Sequence, residues 1–425
     1  MNHSTAHDPS SGLVHAAISS RVGTYYDPPQ KEGATRLLLR MMRRVTKGRT
    51  ASEVDREIDR LGAAIGVEAA RSSASFYASA LARNQRPTLD LLAEMMGQSP
   101  TCEQEFERLR GEALSDWRES LNDDSVLVRR AFVRTLLKDH PHGRLSAGTH
   151  DSLSRITLAD LQALRAIIFP QNELVSWCAG AVDEPFVSDY FGRSSGFCTP
   201  NRQSLTIPDP RPPSGTHLVF VDKPERTQTQ IILGCLGTSP KDDDHTALLV
   251  ANTIFGGTFS SRLSQQVRVK RGWSYGATSQ LPLDRTRQAF SMWTFPAERD
   301  TVACISLKID LLHQWIERGV SKRELAQAKR YLTNSHPFLF DTAAKRASLL
   351  ADEMIYGLAP GYFSRQLERI AAVTQKDIAE ALPRRLSAEN LVIAVVGTSK
   401  TLLDPLKKSL GPNVQTTVIP YQATS

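Results

Sequence analysis

The chain has 425 residues, 40% hydrophobic and 23% charged, with 52 basic against 45 acidic side chains and a net charge of +7. That length holds two or three domains, and that composition suits a folded chain with a substantial core. The basic excess is mild and spread out, without a basic patch interleaved with aromatics, so no nucleic-acid partner is expected; no apolar run approaches the roughly 20 residues of a membrane span, so no membrane partner is expected either.

Met1–Ser11 is polar and carries no basic-then-apolar leader, which points to a cytoplasmic location; residues 1–12 have the composition of a disordered lead-in. Alternation from Leu13 predicts a strand, and Asp27-Pro28-Pro29 a turn. Residues 33–45 predict a helix with Leu37, Leu38, Met41 and Met42 on its core side and Arg36, Arg40, Arg43 and Arg44 elsewhere. A second helix spans 52–61, paired strands span 64–81, and further helices run to residue 137. Thr157-Leu158-Ala159-Asp160 caps another helix, and 173–182 reads as a buried strand. Residues 202–215, rich in proline and polar side chains, form the expected linker between domains at 13–201 and 216–425.

Beyond the linker the plan repeats. Strands are expected at 218–221 and 228–236, and helices at 246–255, 301–315 and from the Ser321…Glu324 capping box. Thr374-Gln375-Lys376-Asp377 restates Thr157…Asp160, and Asn390-Leu391-Val392 restates Glu173-Leu174-Val175 at the same offset. The chain therefore reads as two copies of one α+β unit. Cys102, Cys178, Cys198, Cys235 and Cys304 have no redox or metal-ligand spacing and suit small buried positions. His140, His142, His245, His313 and His336 show no ligand spacing on one helix face.

The chemistry concentrates in Phe255-Gly256-Gly257-Thr258-Phe259-Ser260-Ser261-Arg262-Leu263, which runs on to Arg268 and to Gly272-Trp273-Ser274-Tyr275-Gly276. The glycine pair permits a tight turn, residues 261–270 predict a short polar helix, and Gly272 stops it. A guanidinium, Arg268, and a phenol, Tyr275, then stand on either side of a glycine break. Such a pair can bind a peptide carbonyl and stabilise negative charge developing on it. Spacing alone also allows a solvated helix arginine and an ordinary strand tyrosine.

G-G-x-F-S-S-R-L, followed by an arginine and then G-x-x-Y, resembles the C-terminal half of the pitrilysin-type (insulinase) zinc peptidases, which include mitochondrial processing peptidases and small bacterial relatives. Tyr25–Gly33 and Thr46–Thr50 are similar to the surroundings of that family's zinc motif. The resemblance implies two homologous α/β-layered domains, each an antiparallel-rich sheet covered by helices, together forming half of a clam-shell chamber. It also implies H-x-x-E-H on the 33–45 helix, with two metal-binding histidines and a glutamate that polarises water. Here those positions hold Arg36, Leu39 and Arg40, and the family's third ligand falls near Asp116. Arginine has no lone pair for a metal. The expectation is that this chain binds no metal or other cofactor. The arginines could face an acidic group on a partner or peptide, or form a solvated basic face, the reading favoured by four of them on one helix.

In the family's two-subunit members one subunit carries H-x-x-E-H and zinc. The resemblance implies that this chain is the other subunit, inactive alone, supplying Arg268 and Tyr275 to peptide hydrolysis with Gly257 and Phe259 as substrate-binding neighbours. Its expected partners are an H-x-x-E-H-containing homologous subunit, in a heterodimer with zinc in that subunit, and a peptide substrate. The alternative is a catalytically inactive structural or peptide-binding subunit of a larger complex. Family members begin with a longer strand pair, of which only Ser11–Val14 resembles the end, and small bacterial relatives are often exported; a periplasmic location would go with a longer natural start.

Overall fold

The computed structural model describes residues 2–46, 48–97, 101–138, 140–183, 187, 190 and 207–423. These divide into two compact units. The first draws on residues 1–118, 144–206 and 337–364, the second on 119–143, 207–336 and 365–425.

The first unit is built on a five-stranded sheet in the order β1-β5-β2-β4-β3. Its strands are β1 (Asn2–His7), β2 (Leu13–Ser20), β3 (Ala64–Ala69), β4 (Ala74–Leu81) and β5 (Leu174–Gly180). β1 runs parallel to β5, and the other neighbours are antiparallel. Because side chains alternate along a strand, β5 serves two layers. Leu174 and Cys178 join the large core beneath helices Ala34–Arg44, Ala51–Leu61 and Gln85–Gly97. Val175 and Ala179 meet Ala343, Ala347, Ala351 and Ile355 of helix Ala343–Tyr356.

The second unit has a six-stranded sheet in the order β11-β6-β10-β7-β9-β8. Here β6 is His217–Asp222, β7 Gln230–Leu236, β8 Ala277–Gln280, β9 Ala289–Thr294, β10 Val392–Gly397 and β11 Gln415–Pro420. β6 is parallel to β10 and to β11, and the remaining pairs are antiparallel. One face packs under helices His245–Phe255 and Thr301–Arg318, where Phe255 and Trp315 stack with ring centroids 4.3 Å apart. The other face, with Val219, Val221, Ile232, Val392, Ala394 and Val396, is covered by helix Asp124–Leu136 through Leu127, Val128, Ala131 and Phe132.

Strand for strand, β6-β10-β7-β9-β8 repeats β1-β5-β2-β4-β3 with the same senses, so the duplication read from the sequence is present in the topology. Both capping boxes that signalled it form: the Thr157 hydroxyl accepts from the Asp160 N–H, and Thr374 does the same with Asp377.

Two features depart from the sequence reading. Residues 2–7 are a strand instead of a disordered lead-in. β1 lies at a sheet edge and is polar, whereas its counterpart β6 lies between two strands and is the apolar run Leu218–Val221. Only the interior strand shows up as hydrophobic sequence. The units are also discontinuous: residues 119–143 pack in the second and 337–364 in the first, while the linker-based division assigned each to the other half. Of the expected linker, 202–206 lies outside the described residues, as does Cys198, and 207–215 contains no helix or strand.

Candidate functional site

Helix His245–Phe255 is buried on nearly every side, and its end is fixed by Asn252. The Asn252 carbonyl accepts the N–H groups of Gly256 and Gly257 at 3.0 and 2.9 Å, and its Oδ1 accepts the Ser279 hydroxyl at 2.6 Å. Ser279 on β8 in turn donates its N–H to the Gly256 carbonyl at 3.0 Å. A Cβ on Gly256 would lie 2.3 Å from Ser279 Oγ, and one on Gly257 2.9 Å from Thr253 Cα. Gly256 is thus required by the close approach of β8 to the helix end, and Gly257 by the fold of the chain back against the last turn of the helix. Since the Gly257 N–H is engaged by the helix, this glycine shapes the turn that presents Phe259.

The expected helix over 261–270 is one α-turn, Arg262–Ser264, continued by a π-helical turn, Gln265–Val269. The Lys270 N–H reaches back five residues to the Gln265 carbonyl at 2.9 Å. Leu263 and Val267 are fully buried and anchor the turn. Widened turns of this kind recur at functional sites; here the turn leaves Arg268 half-buried and Val269 exposed. Gly272 follows at φ +63°. Ser274 then braces the chain, donating to the Gly276 carbonyl at 2.6 Å and accepting the Phe295 N–H at 2.9 Å.

These supports bring Phe259, Arg268 and Tyr275 together. The Arg268 guanidinium lies over the Tyr275 ring, 4.4 Å from its centroid, and 5.1 Å from that of Phe259. Both rings are open to solvent, Phe259 79% and Tyr275 77% exposed. Among the described residues no carboxylate pairs with Arg268. A guanidinium lying over aromatic faces keeps the N–H groups on its edge for an acceptor. The cluster therefore offers a charged fork, a phenol and an apolar ring on one surface. The sequence named these residues; it gave no sign that Phe259 and Tyr275 would contact the same guanidinium.

The degenerate motif lies in the first unit. Helix Ala34–Arg44 starts where the Asp27 carboxylate accepts the N–H groups of Gly33 and Thr35, both at 2.8 Å. Arg36 is exposed and Leu39 is buried in the core. Arg40 reaches helix Glu103–Ser120, pairing with Glu112 at 2.5 Å and Asp116 at 3.7 Å. These residues do not fit a metal: two arginines and a buried leucine offer no ligand and no base. Among the described residues no three His, Cys, Asp or Glu side chains gather where they could hold an ion.

Arg40, Arg43 and Arg44 are less solvated than expected, whereas Arg36 is exposed. Arg43 donates to the Ile65 carbonyl at 2.9 Å, and Arg44 pairs with Glu105 at 2.6 Å and Asp55 at 3.3 Å. Glu112, one helical turn before Asp116, is the partner that the sequence reading missed; its position on the same helix face was the available signal.

Comparison with known proteins accords with this geometry. Residues 4–150 match the family model described as Insulinase (Peptidase family M16), and residues 155–332 that described as Peptidase M16 inactive domain. An uncharacterized zinc protease of Streptomyces coelicolor is 26% identical over 90% of this chain and 84% of its own length. A non-peptidase homolog of Helicobacter pylori is 19% identical over 92% of this chain and 89% of its own. In fold, the chain is similar to the crystal structure of a peptidase M16 inactive domain from Pseudomonas fluorescens, with a TM-score of 0.87, 22% identity, and 93% and 95% of the two chains covered. Matched by family models in both of its halves, the chain belongs to peptidase family M16.

Proposed function

We propose that this chain is a metal-free subunit that assembles with a homologous H-x-x-E-H subunit and contributes Arg268 and Tyr275 to the hydrolysis of peptides. The observation that carries this reading is the exposed cluster in which Arg268 contacts both Tyr275 and Phe259 without a carboxylate partner among the described residues. A fold that needed Arg268 only for solubility has no reason to seat it on two solvent-exposed rings. In the assembled pair, zinc in the other subunit supplies the Lewis acid and the activated water. The Arg268 N–H groups and the Tyr275 hydroxyl hydrogen-bond the scissile carbonyl, and these bonds strengthen as its oxygen becomes an anion. Phe259 packs against a neighbouring substrate side chain, over the turn that Gly257 allows.

Removing one such donor typically costs about 3 kcal/mol of transition-state stabilisation, on the order of a hundredfold in rate. The test is hydrolysis of a fluorogenic peptide by the pair, with Arg268→Ala and Tyr275→Phe introduced here and assembly checked by size-exclusion chromatography. Unchanged turnover with intact assembly would sink the proposal. This chain alone is expected to be inert and free of zinc.

Two observations favour a second reading. Arg40 spends its charge on Glu112 and Asp116 instead of leaving a vacant ligand position, and a relative matching over most of the chain bears the name non-peptidase homolog. A subunit that only binds peptides or supports assembly would keep the fold and lose nothing from Tyr275→Phe.

A further inference from the structure

Within the same unit lies a concavity of about 700 Å³, lined in part by the motif but by neither Phe259, Arg268 nor Tyr275. Its walls come from the end of helix His245–Phe255, residues 258–266, the last turns of helix Thr301–Arg318 and helix Lys322–Ser335. The volume is that of a site for a small ligand.

The lining indicates what that ligand is. Ser261 is 2% exposed, and its hydroxyl has no hydrogen-bond partner among the described residues. It occupies the N-cap position of Arg262–Ser264 without making a capping bond. A buried hydroxyl left unpaired costs about 1–3 kcal/mol; its oxygen is covered in this structure, so an occupant supplies the partner by displacing the turn that covers it.

Glutamines 265, 266, 314 and 327 add amides that both donate and accept, the pattern a peptide backbone presents. The two opposite charges in the wall cancel: Arg262 holds Glu324 through two bonds of 2.6 and 2.8 Å. Arg318 remains, exposed at the rim and without an ionic partner among the described residues. Ile254 and Val320 supply an apolar floor.

Amides, an unpaired hydroxyl, an apolar floor and one uncompensated guanidinium suit a peptide end that carries a carboxylate. We propose that this cleft binds the carboxy-terminal end of a short peptide, its carboxylate on Arg318 and its last amides on the glutamines and Ser261. The wall of the cleft is also the segment that presents Phe259. Gln265 donates to the Phe259 carbonyl at 3.3 Å, and Gln327 to the Ser260 hydroxyl at 3.3 Å. An occupant therefore lies against the support of the aromatic cluster. The binding itself does not rest on any catalytic role for Arg268.

The test is isothermal titration calorimetry on this chain alone, with the tripeptide acetyl-Ala-Leu-Ala as the free acid and as the C-terminal amide. The acid is expected to bind saturably at one site, and the amide at least tenfold more weakly. Arg318→Gln should weaken the acid at least tenfold, Gln314→Ala should weaken both forms several-fold, and Arg268→Ala should change neither. Arg318 and Gln314 are exposed, so these variants keep the fold, which circular dichroism checks. Absence of saturable binding, equal affinity for acid and amide, indifference to Arg318→Gln, or loss on Arg268→Ala would each overturn the assignment. Because no partner subunit is present, failure here leaves the hydrolytic proposal standing, and the reverse also holds.

Discussion

Arg262 Nε and Nη2 donate to the two carboxylate oxygens of Glu324 at 2.6 and 2.8 Å, tying the turn after the glycine pair to helix Lys322–Ser335. Glu324 also accepts the Ser321 N–H at 2.8 Å as half of a capping box. The Arg262 hydrogen bonds, ahead of those from Ser321, hold the carboxyl down at about 2.

That depression fixes a pH dependence. A carboxylate whose pKa is lower folded than unfolded contributes stability above its unfolded value near 4.5 and loses it as the pH falls toward 2. The pair is partly solvated, so its contribution is on the order of 1 kcal/mol. Thermal melts of Glu324→Gln should lie below wild type at pH 7 and converge with it near pH 2. Parallel curves across that range would show that the pair contributes nothing.

Lys308 predicts a slope of the same sign in an alkaline window. It is fully buried, with its ammonium on the Met292 carbonyl at 3.0 Å and Thr294 Oγ1 at 3.1 Å, and burial pushes its pKa down to about 8. Between about 8 and 10.5 the unfolded chain binds the extra proton, so stability rises with pH across that window. Lys308→Met should remove the rise in urea midpoint between pH 8 and 10, whatever it does at pH 7. A rise that persists in the variant would assign it to another group.

The aromatic cluster separates fold from function. Phe259 is exposed, and its ring contact with Arg268 is worth about 0.5–1 kcal/mol at an exposed site. Phe259→Ala should leave the melting temperature nearly unchanged and lower peptide turnover by the assembled pair several-fold. Arg268→Lys should rescue little of the activity lost in Arg268→Ala, because an ammonium lacks the planar fork. Full rescue by lysine would reduce the role of Arg268 to charge alone.

At the degenerate motif, an ion pair joins two helices at the positions where the family resemblance implies a metal. The Arg40 pairs are partly exposed, so Arg40→Ala should cost under about 1 kcal/mol in chemical denaturation. A chelator should leave the melting temperature of this chain alone unchanged and abolish hydrolysis by the assembled pair. A fall in the melting temperature on chelation would reveal a metal that these residues do not account for.

Local chemistry is what the sequence determined by itself. The Thr157, Ser321 and Thr374 caps, the strands β2, β5, β6, β7 and β10, the glycine pair and the stop at Gly272 follow from spacing and residue type acting over a few positions. The repeat was legible because its clearest copies are interior strands and capping boxes, whose residues are constrained in both halves. Tertiary structure alone decided the rest. β1 is a strand because β5 offers it a backbone edge, which no polar hexapeptide announces. Helices Asp124–Leu136 and Ala343–Tyr356 have apolar faces visible in sequence, but which sheet each covers depends on packing between residues far apart in the chain. The pairing of Arg40 with Glu112, the seating of Arg268 on two rings and the cleft around Ser261 arise in the same way. Each depends on distances between side chains on different elements, and those distances do not exist until the sheets and helices have closed on their cores.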